Sequence, residues 1–587
     1  MKNLASKIIR IALAVFSVIV ININLTNDMN RITYNNGNSI ITVCLLILLI
    51  IGVKFVENIK NKRLFIITTI LGILLAIFEV LGQAINQNLD LSMLYCAKRN
   101  IVISISMVIS YAYIITTILI IVYSKIESIQ YVKNSRSKSK IIWLIIPWIL
   151  ILLAWIPYLL TYFPGNITPD SVAQIDQAAG ISNYSNHHPF FHTLLIKLTI
   201  EIGLLINNNY NTGIAIYSIC QMITLSGIFA FSIYYMTRKN VNKIYIVALM
   251  IIYAIYPINA LYSITMWKDI PFAGTMVLLI ICLIEFAINA EKLFESKVRM
   301  TVFTILLIMT ILFRNNGIYV IILLLPFLFW FEKKYWKKIL AISIIVLSTF
   351  AIYKYGVFKL MNVSNGSIRE ALSIPLQQFA RIEREKKDEL SQEELDSIHK
   401  FLPVDNIAQI YTPKISDPVK NNFKDSAFKE NKIEFAQLYL HFAFKYPIET
   451  AESFVSNSFG YYYPEAIHWV VAREVYQTSN EKEQKLQLKQ SAIIEGTVIK
   501  EIDSIIDRRD IPIVSMVFSI GFTFWVTVIS LGYAVYLKRY NLIIVYMPIL
   551  ILWLTTLASP VYCEFRYVYS LFTCIGLLVS TNFIKNK

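Results

Sequence analysis

Long apolar runs separated by short basic loops make up most of this 587-residue chain. A helix needs roughly 17–25 mostly apolar residues to cross the hydrocarbon core of a bilayer. Runs of that kind fall near 8–25, 39–57, 64–83, 101–123, 141–163, 213–236 and 244–264. Others follow near 271–289, 299–313, 317–331, 338–356, 511–537, 541–558 and 567–584. The pattern predicts a polytopic α-helical membrane protein with about fourteen transmembrane helices. The stretch 194–206 is apolar but short, and predicts a helix lying at the interface.

One segment breaks the rhythm. Residues 357–510 mix charged positions with apolar residues at helical spacing, as in Phe435, Leu438, Tyr439, Phe442 and Ala443. Prolines at 375, 403, 413, 418 and 447 punctuate it. Its length suits a small, mostly helical domain. No internal repeat and no low-complexity tract is visible in the chain.

Charge distribution gives these segments a sidedness. The net formal charge is +16, but 357–510 holds 20 Lys and Arg against 24 Asp and Glu. The rest of the chain carries 34 against 14, and that excess sits in short loops between apolar runs. This is the positive-inside bias of a membrane protein, and it excludes nucleic acid as the partner. Basic loops at Lys60, Lys62 and Arg63, at Lys125 to Lys140, at Arg238 to Lys243, at Lys292 to Arg299, at Lys333 to Lys338 and at Lys538-Arg539, with the tail Lys585 to Lys587, are expected on the cytoplasmic side. Both termini are then cytoplasmic, and 26–38, 84–100, 164–212, 265–270, 314–316, 357–510 and 559–566 lie outside. Lys2, Lys7 and Arg10 precede the first run without a small-residue cleavage site, which predicts a retained first span. Six scattered cysteines, none of them in 357–510, form no disulfide framework and no zinc motif.

Every conspicuous polar cluster falls in an outer segment. Pro169 leads into a helix in the first large outer loop, with Asp170 expected at its N-cap or as a general base for a hydroxyl. Asn186-His187-His188-Pro189 follows in the same loop. His192 stands four residues after His188, so Asp170, His188 and His192 form one option for a divalent cation. Phosphate contact by the histidines and a merely solvated position are the others. Lys268-Asp269 reads either as a self-paired neighbour couple or as a phosphate ligand beside a hydroxyl or metal ligand. Arg314-Asn315-Asn316 interrupts an otherwise continuous apolar stretch, where a charge is costly unless it meets protein, water or phosphate. Glu564 and Arg566 repeat the theme in the last outer loop, with internal pairing as the plain alternative. Within 357–510, Gln377 and Arg381 lie on an amphipathic stretch. The run Tyr461-Tyr462-Tyr463, with His468-Trp469, suits an aromatic belt at the headgroups, with Tyr462 a candidate sugar contact.

An acidic residue in the first outer loop, basic residues at later outer boundaries and a soluble module before the last spans resemble GT-C-fold glycosyltransferases. The segments Phe163 to Ser171, Tyr184 to Pro189, Ile374 to Arg381 and Tyr461 to Pro464 look like a bacterial membrane family of unknown function usually grouped with those enzymes. The resemblance runs from about residue 140 to the end. It implies four regions: N-terminal helices 1–140 outside the usual core, a GT-C-like core 141–356 containing the loop 164–212, the extracytoplasmic domain 357–510, and C-terminal helices 511–587. It also implies a place in the bacterial cytoplasmic membrane, a polyprenyl-phosphate-linked sugar donor, and a glycan or lipid acceptor. Carried over by position, Asp170 becomes the catalytic base and Asp269 a second acidic residue. Lys268, Arg314 and Arg566 become phosphate ligands. Asp170 is followed by Ser171 where an acidic pair would mark a metal site, so metal dependence stays open.

The expected function is therefore transfer of a sugar from a polyprenyl-phosphate donor on the outer face. A leaving phosphate needs cations held at membrane depth, and the acceptor hydroxyl needs a carboxylate within reach. A flippase or exporter of lipid-linked sugars is the rival from another class. It should show repeated halves and polar residues at the midplane, where Glu79 is the notable exception here. A glycan polymerase or ligase differs mainly in acceptor size.

Overall fold

The computed structural model describes residues 2–24, 33–34, 39–57, 61–129, 140–404, 406–466, 470–476, 480–508, 511–561 and 563–584. Lys60, Lys133, Arg136, Lys138, His468, Trp469 and the tail Lys585 to Lys587 lie outside the described residues. The described chain is almost wholly helical, with one pairing of two-residue strands, Ile23–Asn24 with Thr33–Tyr34. The apolar runs become helices because aliphatic residues leave the backbone no partner in lipid other than itself.

Among the described residues, eight helices are long and apolar enough to cross a membrane. A ninth counts if Lys243–Ile255 and Pro257–Ser263, bent by 54°, form one broken span. Pro257 accounts for that break, because it cannot donate to the preceding turn. Four further apolar helices run only 10–17 residues. By length and composition the chain is thus a multi-helix membrane protein, and these counts over the described residues do not confirm the expected fourteen spans. The helix expected at 194–206 runs from Phe190 to Asn207, and its 18 residues meet the same test of length and hydropathy. Yet just past its end Asn211 Nδ2 donates to Gln487 O of the insert at 3.0 Å, on the side where the helix begins.

Asp269–Glu295 runs through the middle of the bundle and is the most enclosed of the candidate spans, 72% of its apolar window being buried. Around it pack Lys297–Phe313, Ile543–Ala558, Tyr569–Thr581 and Tyr210–Arg238. The N-terminal helices Lys62–Asn88 and Lys98–Ile129 form a flanking layer against Ile520–Tyr536. Tyr123 Oη donates to the Ile529 carbonyl at 2.6 Å there, and Asn61 Nδ2 donates to Tyr536 Oη at 3.1 Å.

The 357–510 insert has its own core, built on Leu376, Phe379, Ile382, Phe401, Phe435 and Phe442. It sits against loops that all lie at one end of the bundle. The Asn186 amide donates to the Ser364 carbonyl at 2.8 Å, and the Ser416 amide to the Val561 carbonyl at 2.9 Å. At the same end, Arg381 pairs with Glu452 at 2.5 Å, and Glu452 accepts from the Leu91 amide and the Tyr95 hydroxyl.

Candidate functional site

The first polar loop is stitched to the start of the central helix by backbone pairing. The Asn166 amide donates to Ile264 O at 2.9 Å and the Met266 amide to Asn166 O at 3.1 Å. Gly165 makes this approach feasible: its φ is +140°, and a Cβ there would come 2.1 Å from Ser218 Oγ. Asp170 and Lys268 are thereby brought together although 98 residues apart.

The helix Pro169–Ala178 is capped by Thr168, not by Asp170. Thr168 and Ser171 form a reciprocal capping box, and Ser171 Oγ also donates to Met266 O at 2.8 Å. Relieved of capping, the Asp170 carboxylate faces three other segments. Its Oδ2 lies 2.6 Å from Arg566 Nη1, 3.4 Å from Lys268 Nζ and 3.9 Å from His188 Nδ1. Lys268 Nζ also donates to His188 Nδ1 at 3.1 Å, and Arg566 Nε donates to Glu564. Lys268 and Asp269, adjacent in sequence, thus point to different partners, since Asp269 faces Arg314 Nη1 at 3.5 Å.

Arg314 reaches the site from the short turn between Lys297–Phe313 and Gly317–Phe331. That turn closes tightly: the Gly317 amide donates to Arg314 O at 2.8 Å, and a Cβ on Gly317 would stand 1.9 Å from Thr310 O. The Tyr567 ring lies between the two guanidinium groups, 5.4 Å from Arg314 Cζ and 5.1 Å from Arg566 Cζ. Trp267 closes the other side of Arg566 at 5.1 Å, and its Nε1 donates to Thr168 Oγ1 at 2.7 Å. Such aromatic faces hold a desolvated cation without neutralising it.

Electrostatics follow from burial and neighbours. Burial alone would raise the Asp170 pKa, but Lys268, Arg566 and His188 together outweigh it and hold the carboxyl well below the usual range. Burial first, then the Lys268 ammonium, pushes the His188 imidazole far down. His188 is therefore neutral, with Nδ1 accepting. Burial pushes Glu564 up despite Arg566, and the charges of Asp170 and Asp269 add to that rise. Asp269 is 1% exposed, and among the described residues neither of its carboxylate oxygens has a hydrogen-bond partner.

Of the residues singled out from sequence, Asp170, His188, Lys268, Asp269, Arg314, Glu564 and Arg566 form one linked cluster. His187 is exposed beside it, its ring 4.6 Å from that of His188. Asn315 Nδ2 donates to Asn186 O at 2.9 Å, tying the Arg314 turn to the histidine loop. Gln377, Arg381 and Tyr462 make their contacts elsewhere. Gln377 Nε2 donates to Thr412 O and Ile415 O, and Arg381 is enclosed with Glu452 and Glu385. Tyr462 stacks on Phe78 at 4.8 Å. His192 spends both ring nitrogens on Gln174 and Tyr217, at 2.9 and 2.6 Å, so it does not join Asp170 and His188. His188 is not a helix cap either, since the cap of Phe190–Asn207 is Pro189. Among the described residues no group of three or more His, Cys, Asp or Glu side chains is placed to hold a metal ion. Sequence reasoning gave no role to Tyr567 or Trp267. An aromatic residue adjacent to each basic residue was the available signal.

Residues 179–587 match a family described as a family of unknown function, DUF6020, and the chain belongs to it. The match covers His188, Lys268, Arg314 and Arg566, whereas Asp170 and the N-terminal helices precede it. No curated protein and no solved structure matches the chain.

Proposed function

We propose that the chain is a membrane glycosyltransferase of GT-C type, multi-pass in the cytoplasmic membrane, with its insert and ion cluster on the extracytoplasmic side. It moves a sugar from a polyprenyl-phosphate donor to a cell-envelope glycan or lipid acceptor, with Asp170 as the base. The observation that carries this reading is the meeting of Asp170, Lys268, Arg314 and Arg566 from four distant segments. Three cations at a membrane boundary suit a lipid-linked phosphate. The helices Asp269–Glu295, Phe190–Asn207 and Gly317–Phe331 also begin there, adding the positive ends of their dipoles.

A second feature favours a lipid-linked ligand. An apolar groove of about 390 Å³ lies between Lys243–Ile255, Ile520–Tyr536 and Tyr569–Thr581. Its lining has no charged side chain, so the chemistry is assigned to the ion cluster and the groove to a hydrocarbon chain. A wall of aromatic rings separates the two. Tyr569 Oη donates to Asn259 at the groove at 2.8 Å, Tyr569 packs on Tyr262 at 4.7 Å, and Tyr262 meets Trp267 at 5.2 Å, beneath Arg566.

In the proposed step Asp170 takes the proton of the acceptor hydroxyl. That oxygen bonds to the anomeric carbon as the bond from this carbon to the phosphate oxygen breaks. The phosphate leaves with the electron pair, held by Arg566, Lys268 and Arg314, and the anomeric centre inverts. At rest Asp170 is a poor base, because Arg566 and Lys268 hold its pKa down. A bound phosphate competes for the same two cations and adds negative charge nearby, which raises the carboxyl toward its working range. The test is transfer from radiolabelled polyprenyl-phosphate sugar in membranes. Asp170→Asn is expected to lower the rate by at least ~100-fold, within the range of general-base catalysis. Full activity of Asp170→Asn removes the proposed base.

A further inference from the structure

A second cavity, of about 300 Å³, lies away from the ion cluster, at the ends of the N-terminal helices nearest the insert. Its wall draws on Asn22, just past the helix Lys2–Ile21, Thr42 from Ser39–Glu57, Gln83 and Asn86 from Lys62–Asn88, and Tyr111 from Lys98–Ile129. Tyr463 and Glu465 close it from the far end of the insert. These helices precede the family-matched stretch, and the ion cluster makes no use of them.

The chemistry of the lining is distinctive. No lysine, arginine or histidine lines the cavity among the described residues, whereas amides, phenols and a carboxylate do. Gln83 organises the floor: its Nε2 donates to Glu79 Oε1 at 3.1 Å and to Tyr111 Oη at 2.6 Å. Glu79 lies within the candidate span Lys62–Asn88 and is 9% exposed, a costly place for an ionisable group and one that marks function by default. The Tyr463 ring rests on Gly82, where a Cβ would come within 2.2 Å of it, and Tyr463 Oη donates to Glu465 at 3.0 Å. Asn86 and Gln87 stand exposed at the rim, and among the described residues neither side-chain amide has a partner.

We propose that this cavity binds an uncharged glycosyl unit. Glu465 is the carboxylate that lines the cavity, and no lysine, arginine or histidine does so among the described residues, which disfavours a phosphate or a uronate. The lining amides and the Glu465 carboxylate match the paired donors and acceptors of vicinal hydroxyls, and the Tyr111 and Tyr463 rings offer apolar faces to a sugar ring. The volume is at the small end for ligand pockets, which suits one or two sugar rings and excludes a lipid. The site stands on its own geometry and does not depend on the transfer reaction.

Saturation-transfer NMR on the full chain in a sugar-free detergent tests it. The probes are methyl glycosides of glucose, galactose and N-acetylglucosamine, with glucose 1-phosphate as the anionic control. At least one neutral glycoside is expected to bind saturably and glucose 1-phosphate to give no competing signal. Gln83→Leu, and separately the rim variant Asn86→Ala, are expected to weaken binding about tenfold, the loss of one good hydrogen bond. Arg566→Ala leaves this binding intact while abolishing transfer, so the two readings fail separately. The proposal is overturned if no neutral glycoside saturates, or if both cavity variants bind as the wild type does. It is also overturned if sodium or potassium alone stabilises the chain through Gln83.

Discussion

The pair Asp170–Arg566 joins residues 396 positions apart, and a double-mutant cycle on it reads the geometry without any assumption about activity. At an effective dielectric near 20, unit charges at 2.6 Å attract by roughly 6 kcal/mol, and at the 3.4 Å of Lys268 by roughly 5. Desolvating Arg566 offsets much of that gross attraction, and Asp170 keeps 28% of its side chain exposed. Arg566→Ala strands both Asp170 and Glu564, but Lys268 still covers Asp170, so the single change is expected to cost about 2–4 kcal/mol. The coupling between Asp170→Asn and Arg566→Ala is expected at about 1–3 kcal/mol, the range for residues in direct contact. The assay is denaturant unfolding of the purified chain in mixed micelles for the wild type, both singles and the double. Additivity within about 0.5 kcal/mol is the behaviour of distant sites. It would refute the juxtaposition and every chemical step built on it.

Three further outcomes follow from the same geometry. Gly317→Ala places a Cβ against Thr310 O and is expected to cost about 1–3 kcal/mol, read as earlier unfolding together with lost transfer as Arg314 moves. Glu452→Ala leaves the 1%-exposed Arg381 without its closest partner and is expected to cost about 3–5 kcal/mol. Replacing Arg381 and Glu452 together by Met and Leu should recover most of that loss, with protease resistance of the insert as the readout. The folded pKa of Asp170 lies below its ordinary value of 3.8, so its contribution is present above that pH. It is lost progressively as pH falls below about 3.8, and Asp170→Asn should flatten the acid limb of stability there.

The multi-helix membrane character was legible because apolar length acts locally. Lys62–Asn88, Tyr210–Arg238 and Asp269–Glu295 each enclose the run that predicted them. Phe190–Asn207 begins four residues ahead of the apolar run 194–206 because Phe190, Phe191 and His192 supply its first turn. The gathering of Asp170, Lys268, Arg314 and Arg566 was expected because the basic-loop pattern assigned all four to one side, an argument that needs no contact. What sequence could not supply was the identity of the cap. Thr168 and Asp170 are both good capping residues, and tertiary contacts of Ser171 and Trp267 decide for Thr168. Arg381 misled for the opposite reason. A charged residue on an amphipathic helix reads as exposed and functional, yet Glu452, 71 residues on, buries it. The amide cavity was illegible because its parts are ordinary polar residues at helix ends, joined only when the N-terminal helices meet Tyr463.

The most direct measurement is an experimental structure of the chain with polyprenyl phosphate bound in lipid nanodiscs. The account predicts phosphate density between Arg566, Lys268 and Arg314, with Asp170 released from Arg566 and the isoprenoid chain in the groove beside Tyr256 and Phe572. Phosphate bound elsewhere, with the Asp170–Arg566 pair intact and the groove empty, would contradict it.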